Sequence, residues 1–69
     1  MFNKAALKAA MVLMEISVKE LCKELGITES TFYRKMERDG DFSRKEINKM
    51  IKILKIGDPE RIFFAEKLA

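Results

Sequence analysis

Any chemistry in this 69-residue chain must come from charge and hydrogen bonding, because the residues that do most covalent and metal chemistry are missing. There is no histidine, which removes zinc fingers, imidazole acid–base catalysis and most transition-metal sites. A single cysteine, Cys22, excludes an internal disulfide framework and suits a structural thiol on an inward helix face. No nucleophile–base pair or metal cluster is evident, so no catalytic residue, metal or cofactor is expected. The basic residues are the ones placed to act. From Arg34 to Lys55 there are eight (Arg34, Lys35, Arg38, Arg44, Lys45, Lys49, Lys52, Lys55) against four acidic ones (Glu37, Asp39, Asp41, Glu46). The middle of the chain thus carries more than the whole net charge of +3. Such a local basic surface fits nucleic acid, and it fits an ordinary solvated face equally well.

The elements that must position these charges are helices. Hydrophobic residues make up 48% of the chain while glycine and proline number only three and one, which argues against a turn-rich β protein. Five helical segments follow from caps and periodicity. The first spans about Asn3–Met14, with Leu7, Ala10, Met11 and Met14 at helical spacing. The second opens with a capping box, Ser17 and Glu20, and buries Val18, Leu21, Cys22 and Leu25. Gly26 ends it in the left-handed conformation that glycine adopts without steric cost. Thr28 caps a third helix to about Arg38, with Phe32 and Met36 inward and Gly40 as its stop. Ser43 and Glu46 form another capping box for a fourth helix with the stripe Ile47, Met50, Ile51 and Leu54, closed by Gly57. Asp58-Pro59 caps and starts the fifth, which carries Ile62, Phe63 and Phe64. Phe63 and Phe64 are adjacent and cannot share a face, so one packs on the core and the other caps the domain loosely or meets a second subunit. The predicted fold is all-α, a single compact domain of about five helices.

Ser17 to Glu37 is the central unit. Two short helices flank the tight turn Leu25-Gly26-Ile27-Thr28, the ingredients of a helix-turn-helix. Leu21, Leu25 and Phe32 can pack the helices steeply and leave the outer face of the second free for a major groove. The run Ser17-Val18-Lys19-Glu20-Leu21-Cys22-Lys23-Glu24-Leu25-Gly26-Ile27-Thr28-Glu29-Ser30-Thr31-Phe32-Tyr33-Arg34-Lys35-Met36 resembles the helix-turn-helix of the phage repressor and Cro (XRE) family. The likeness is nearest to small regulators of Gram-positive bacteria and their phages. It implies a lambda-repressor-like DNA-binding domain over nearly the whole chain, in the cytoplasm, with the motif at about 17–37. Two departures stand out. Val18 replaces the glutamine that often helps hold a phosphate, leaving Ser17, Lys19 and backbone N–H groups as substitutes. Cys22 replaces a small alanine at the helix crossing, a change the fold should tolerate.

By position, the resemblance implies that a recognition helix at about 28–38 presents Thr28, Glu29, Ser30, Tyr33 and Arg34 to the bases. Arg34 is the leading reader, since its fork can bond two acceptors on guanine; its alternative is a surface ion pair. Glu29 can accept from a cytosine amino group or simply serve the positive end of its helix. Tyr33 either stacks at the groove edge or packs over its own helix. Ser17, Lys19, Thr31, Lys35, Arg38, Arg44 and Lys45 are the phosphate candidates, which position the protein without reading sequence. Lys49 and Lys52 are expected to face water.

The implied function is transcriptional regulation at an operator, as a repressor or Cro-like protein on double-stranded DNA. Two copies would occupy half-sites ~34 Å apart, dimerising in solution or only on DNA. The one dimer surface offered is Ile62-Phe63-Phe64-Leu68. No small-molecule substrate or membrane contact is expected: no apolar run approaches ~20 residues, and Lys4 and Lys8 interrupt the Met1–Met14 stretch where a leader would need an unbroken apolar core. The rival reading is a helical adaptor or anti-repressor that uses the same fold without DNA.

Overall fold

The computed structural model describes residues 2–64, and all regular structure in them is helical. The elements are α1 (Lys4–Leu13), α2 (Val18–Leu25), α3 (Glu29–Glu37), α4 (Arg44–Ile53) and α5 (Pro59–Phe63). α2 packs against α3 and α4, and α1 against α5. The N-termini form where expected. Ser17 and Ser43 both complete capping boxes with Glu20 and Glu46, and Asn3 and Thr28 cap through their side chains. Pro59 opens α5, but the Asp58 side chain makes no capping bond; its carbonyl accepts from Arg61 N–H at 3.2 Å instead. No helix among the described residues is long and apolar enough to cross a membrane.

Three helices end in the same way. After α1, α2 and α4 one residue turns left-handed, respectively Glu15 (φ 56°), Gly26 (φ 75°) and Lys55 (φ 52°). An isoleucine follows each time, and its N–H reaches back to a carbonyl five residues earlier: Ile16 to Met11, Ile27 to Cys22, Ile56 to Ile51. That is the Schellman arrangement, and all three isoleucines pack against the core, the apolar contact that goes with it. Gly57 therefore does not close α4. The helix stops at Ile53 because burying both Leu54 and Ile56 requires the reversal between them, at Lys55. A left-handed L-residue costs about 1–2 kcal/mol. Lys55→Gly should recover part of this, raising stability by about 0.5–1 kcal/mol after the greater freedom of glycine in the unfolded chain is deducted. Thermal denaturation of the variant checks it.

The core joins these helices through Leu7, Leu21, Phe32 and Met50, all fully buried. Two aromatics that lie outside every helix complete it. Phe2 stacks on Phe63 and meets Phe42 edge-on, each at 6.0 Å between centroids, and Phe42 lies 5.7 Å from Phe32. Phe2 is held by the reversal after α3, where Asp39 and Gly40 are both left-handed (φ 59° and 70°). Gly40 thus does more than stop α3, which ends at Glu37 with Arg38 as its cap. The Phe2 N–H donates to Asp39 Oδ1 at 3.0 Å, and the Phe2 ring lies directly on Gly40. The Asn3 N–H continues the strap to the Ile62 carbonyl at 2.7 Å.

Candidate nucleic-acid interface

α3 is positioned by its apolar edge. Phe32 and Met36, one turn apart, are buried in the same core cluster as Leu21, Cys22 and Leu25 of α2, which packs against α3. The opposite edge then faces outward: Glu29, Ser30, Tyr33, Arg34 and Glu37 are all exposed. The turn before α3 is set by Gly26, with half-buried Ile27 seated against the core. The candidate base readers named from sequence therefore share one surface. Tyr33 is half exposed, its ring meeting Phe32 edge-on at 5.7 Å, so it combines packing with partial exposure.

Thr28 differs from the other four. Its hydroxyl accepts from the Thr31 N–H at 3.1 Å and donates to Thr31 Oγ1 at 2.9 Å. Its hydrogen and one lone pair are spent on the cap, leaving one lone pair to accept, whereas the Thr31 hydroxyl keeps its own hydrogen for an acceptor. Ser17 also caps, its oxygen accepting from the Glu20 N–H at 3.1 Å, and it remains exposed. Lys19 is exposed beside it in the first turn of α2, where backbone N–H groups also point outward.

The basic candidates divide. Arg38, Arg44 and Lys45 are exposed around the α3–α4 connection, and no ion pair holds them or Arg34 among the described residues. Lys35, also a phosphate candidate, is already engaged within the fold. Its ammonium sits 3.0 Å from Glu46 Oε1, with the two side chains only 21% and 14% exposed, tying α3 to the start of α4. Burial pushes the Glu46 carboxyl up, but the Ser43 N–H and the Lys35 ammonium outweigh it and hold the group below its ordinary value. A carboxyl held low stabilises the fold above its unfolded pKa and loses that contribution as pH falls through its folded one. Glu46→Gln should therefore lower stability by about 1–2 kcal/mol at pH 7, as for a partly buried charged hydrogen bond. The gap from wild type should begin to narrow as pH falls past the ordinary glutamate value of about 4.3 and close only below the lowered folded value, where both carry a neutral side chain. Melting curves at pH 7 and pH 3 read this directly.

Two further contacts were not visible in the sequence. Lys4 of α1 holds Glu37 at 2.9 Å, and this hydrogen bond and the ammonium charge keep the Glu37 carboxyl below its usual range. One carboxylate on the outer edge of α3 is thereby neutralised, and Glu29 is left as the negative group facing outward there. Lys49 reaches the Glu24 carbonyl at 3.5 Å, near the C-terminal end of α2, rather than only water, while Lys52 is exposed. The 33- and 25-residue separations of these pairs leave no local signal in the chain.

Cys22 is buried, and desolvation together with the nearby Glu29 charge pushes its thiol up, away from reactivity. Among the described residues, no group of three or more metal-ligating side chains converges. No protein-family model matches this chain, and comparison with curated proteins and with solved structures found no similar protein.

Proposed function

We propose that this protein binds double-stranded DNA sequence-specifically through α2 and α3, as a transcriptional regulator of the repressor or Cro kind. One observation carries the reading. α3 is locked from behind by Phe32 and Met36, yet Glu29, Ser30, Tyr33 and Arg34 stand together on its opposite, solvent-facing edge. A major groove about 12 Å wide admits one such helix edge. Arg38, Arg44 and Lys45 extend the surface with positive charge suited to phosphates, and Ser17 and Lys19 add donors at the start of α2. Arg34 reads bases in this arrangement, and the Lys35–Glu46 pair holds the helix against α4 while it does so.

The reading is of a binder, not a catalyst. An adaptor that meets protein instead of DNA draws support from Glu29, a carboxylate on the outer edge with no ion-pair partner among the described residues. Selection from a randomised duplex pool at about 0.15 M salt separates the two, because phosphate contacts make DNA binding salt-dependent and base contacts enrich a motif. Recovery of a short motif, above all an inverted repeat, supports the regulator. A folded protein that enriches nothing rejects it in favour of the adaptor.

A further inference from the structure

The surfaces that DNA binding does not yet explain lie on α5 and α1. The dimer surface expected from sequence is mostly lost to the core: Ile62 and Phe63 are buried, Phe64 alone is exposed, and Leu68 lies outside the described residues. α1 instead offers two charges, Lys4 and Lys8, spaced one turn apart so that they share a face. That face lies toward Glu37 of α3. Lys4 Nζ holds the carboxylate at 2.9 Å, and the charge of Lys8 reaches it as well. The start of the chain is strapped in place for this contact. The Phe2 N–H donates to Asp39 just beyond α3, at 3.0 Å, and so keeps the first turn of α1 beside the last residue of α3.

Glu37 is an unfavourable residue for the place it occupies. It ends α3, where the helix dipole disfavours a carboxylate, and it stands on the outward edge that would face phosphates. It also lies three residues after Arg34, the spacing at which helical side chains meet and opposite charges pair. Arg34 is therefore the partner that α3 itself offers Glu37. Yet Arg34 makes no ion pair among the described residues, and Glu37 is bound across the domain to Lys4 instead. We propose that Lys4 is a positioning residue for base readout: by occupying Glu37 it leaves the Arg34 guanidinium free to enter the major groove. This role rests on α3 being the recognition helix. Stability gives the pair little reason to exist, because side chains 42% and 70% exposed contribute little to folding when they pair. Without Lys4, Glu37 competes with DNA for Arg34 and sets an uncompensated negative charge beside the phosphates, so the consequences fall on binding.

Two measurements on the full chain test this, and the first needs no DNA. It follows the Glu37 carboxyl carbon by NMR through a pH titration. Arg34→Ala should change the Glu37 pKa little while Lys4 is present, and raise it in a Lys4→Ala chain, where Arg34 has become the partner. The second uses an operator recovered from the duplex selection. Lys4→Ala should weaken its binding roughly 5-fold and reduce discrimination at the base pair that Arg34 reads, while melting like wild type. Lys4→Arg should bind like wild type. Glu37→Gln combined with Lys4→Ala should restore both affinity and discrimination, because the competing carboxylate is gone. Three results overturn the role: a Glu37 pKa that Arg34→Ala leaves unmoved in the Lys4→Ala chain, a Lys4→Ala chain that binds the operator as wild type does, or a loss that persists with Glu37→Gln, which would make Lys4 a phosphate contact. A folded wild type that enriches no duplex defeats the DNA reading and the readout role with it, and the carboxyl titration separates that failure from a failure of the exchange between Lys4 and Arg34.

Discussion

Replacing Gly40 with alanine should lower stability by about 3 kcal/mol, most of what a domain of this size has to lose. Two costs add. Gly40 has a φ of 70°, where a Cβ costs about 1–2 kcal/mol. That Cβ would also lie 2.8 Å from Phe2 Cβ and closer still to its ring, so Phe2 must leave its seat between Phe42 and Phe63. Overpacking of this kind typically costs another 1–3 kcal/mol. Gly26→Ala is the matched control. Its φ is 75°, yet nothing lies within 4 Å of an added Cβ, so only the backbone cost of about 1 kcal/mol applies. Glu15 and Lys55 already bear that cost in the equivalent turns. A melting temperature reduced by more than about 10 °C in Gly40→Ala, against about 5 °C in Gly26→Ala, would match this account. Equal reductions would mean that Phe2 is not held against Gly40. If Phe2 is held there, Phe2→Ala combined with Gly40→Ala should cost less than the sum of the two, because removing the ring removes most of the clash.

Arg34→Ala should weaken binding to a selected operator about 10- to 100-fold and relax discrimination at one base pair, while leaving the melting temperature unchanged. The side chain is exposed and engaged in no ion pair among the described residues, so its loss costs the fold little. Arg44→Ala is the informative comparison, from the start of α4. It should weaken all sequences about equally and reduce the salt slope by about one. Competition titrations with operator and single-base variants distinguish these patterns. If Arg34→Ala weakens every duplex alike, Arg34 contacts phosphate, and readout rests on Ser30, Tyr33 and Glu29. If Lys35→Ala reduces affinity, the cause should be loosening of α3 from Glu46, visible as a lower melting temperature, rather than loss of a phosphate contact.

Most of the helical framework was legible in the chain because its signals are local. A serine hydroxyl and a glutamate three residues later cap one turn of backbone whatever surrounds them, so Ser17–Glu20 and Ser43–Glu46 mark α2 and α4 directly. Gly26 and the inward pair Phe32 and Met36 likewise imply the turn and the buried edge of α3, and with them the outward edge carrying Arg34. Local rules failed where burial decided between local alternatives. Gly57 is the better left-handed residue, yet Lys55 takes that conformation because Leu54 and Ile56 both reach the core. Phe2 and Phe42 lie in no periodic segment, and nothing near them in the chain points to the aromatic cluster they complete.

The sequence by itself determined an all-helical chain, the starts of its helices and the turn between α2 and α3, since these depend on contacts within four or five residues. Only the tertiary structure decided which charges remain to act. It diverted Lys35 to Glu46, neutralised Glu37 with Lys4, buried Ile62 and Phe63, and left Val12 and Leu13 in the open. Those outcomes depend on which surfaces the packed helices bring within a few ångströms of each other, and residues 11 or 33 apart in the chain meet only there.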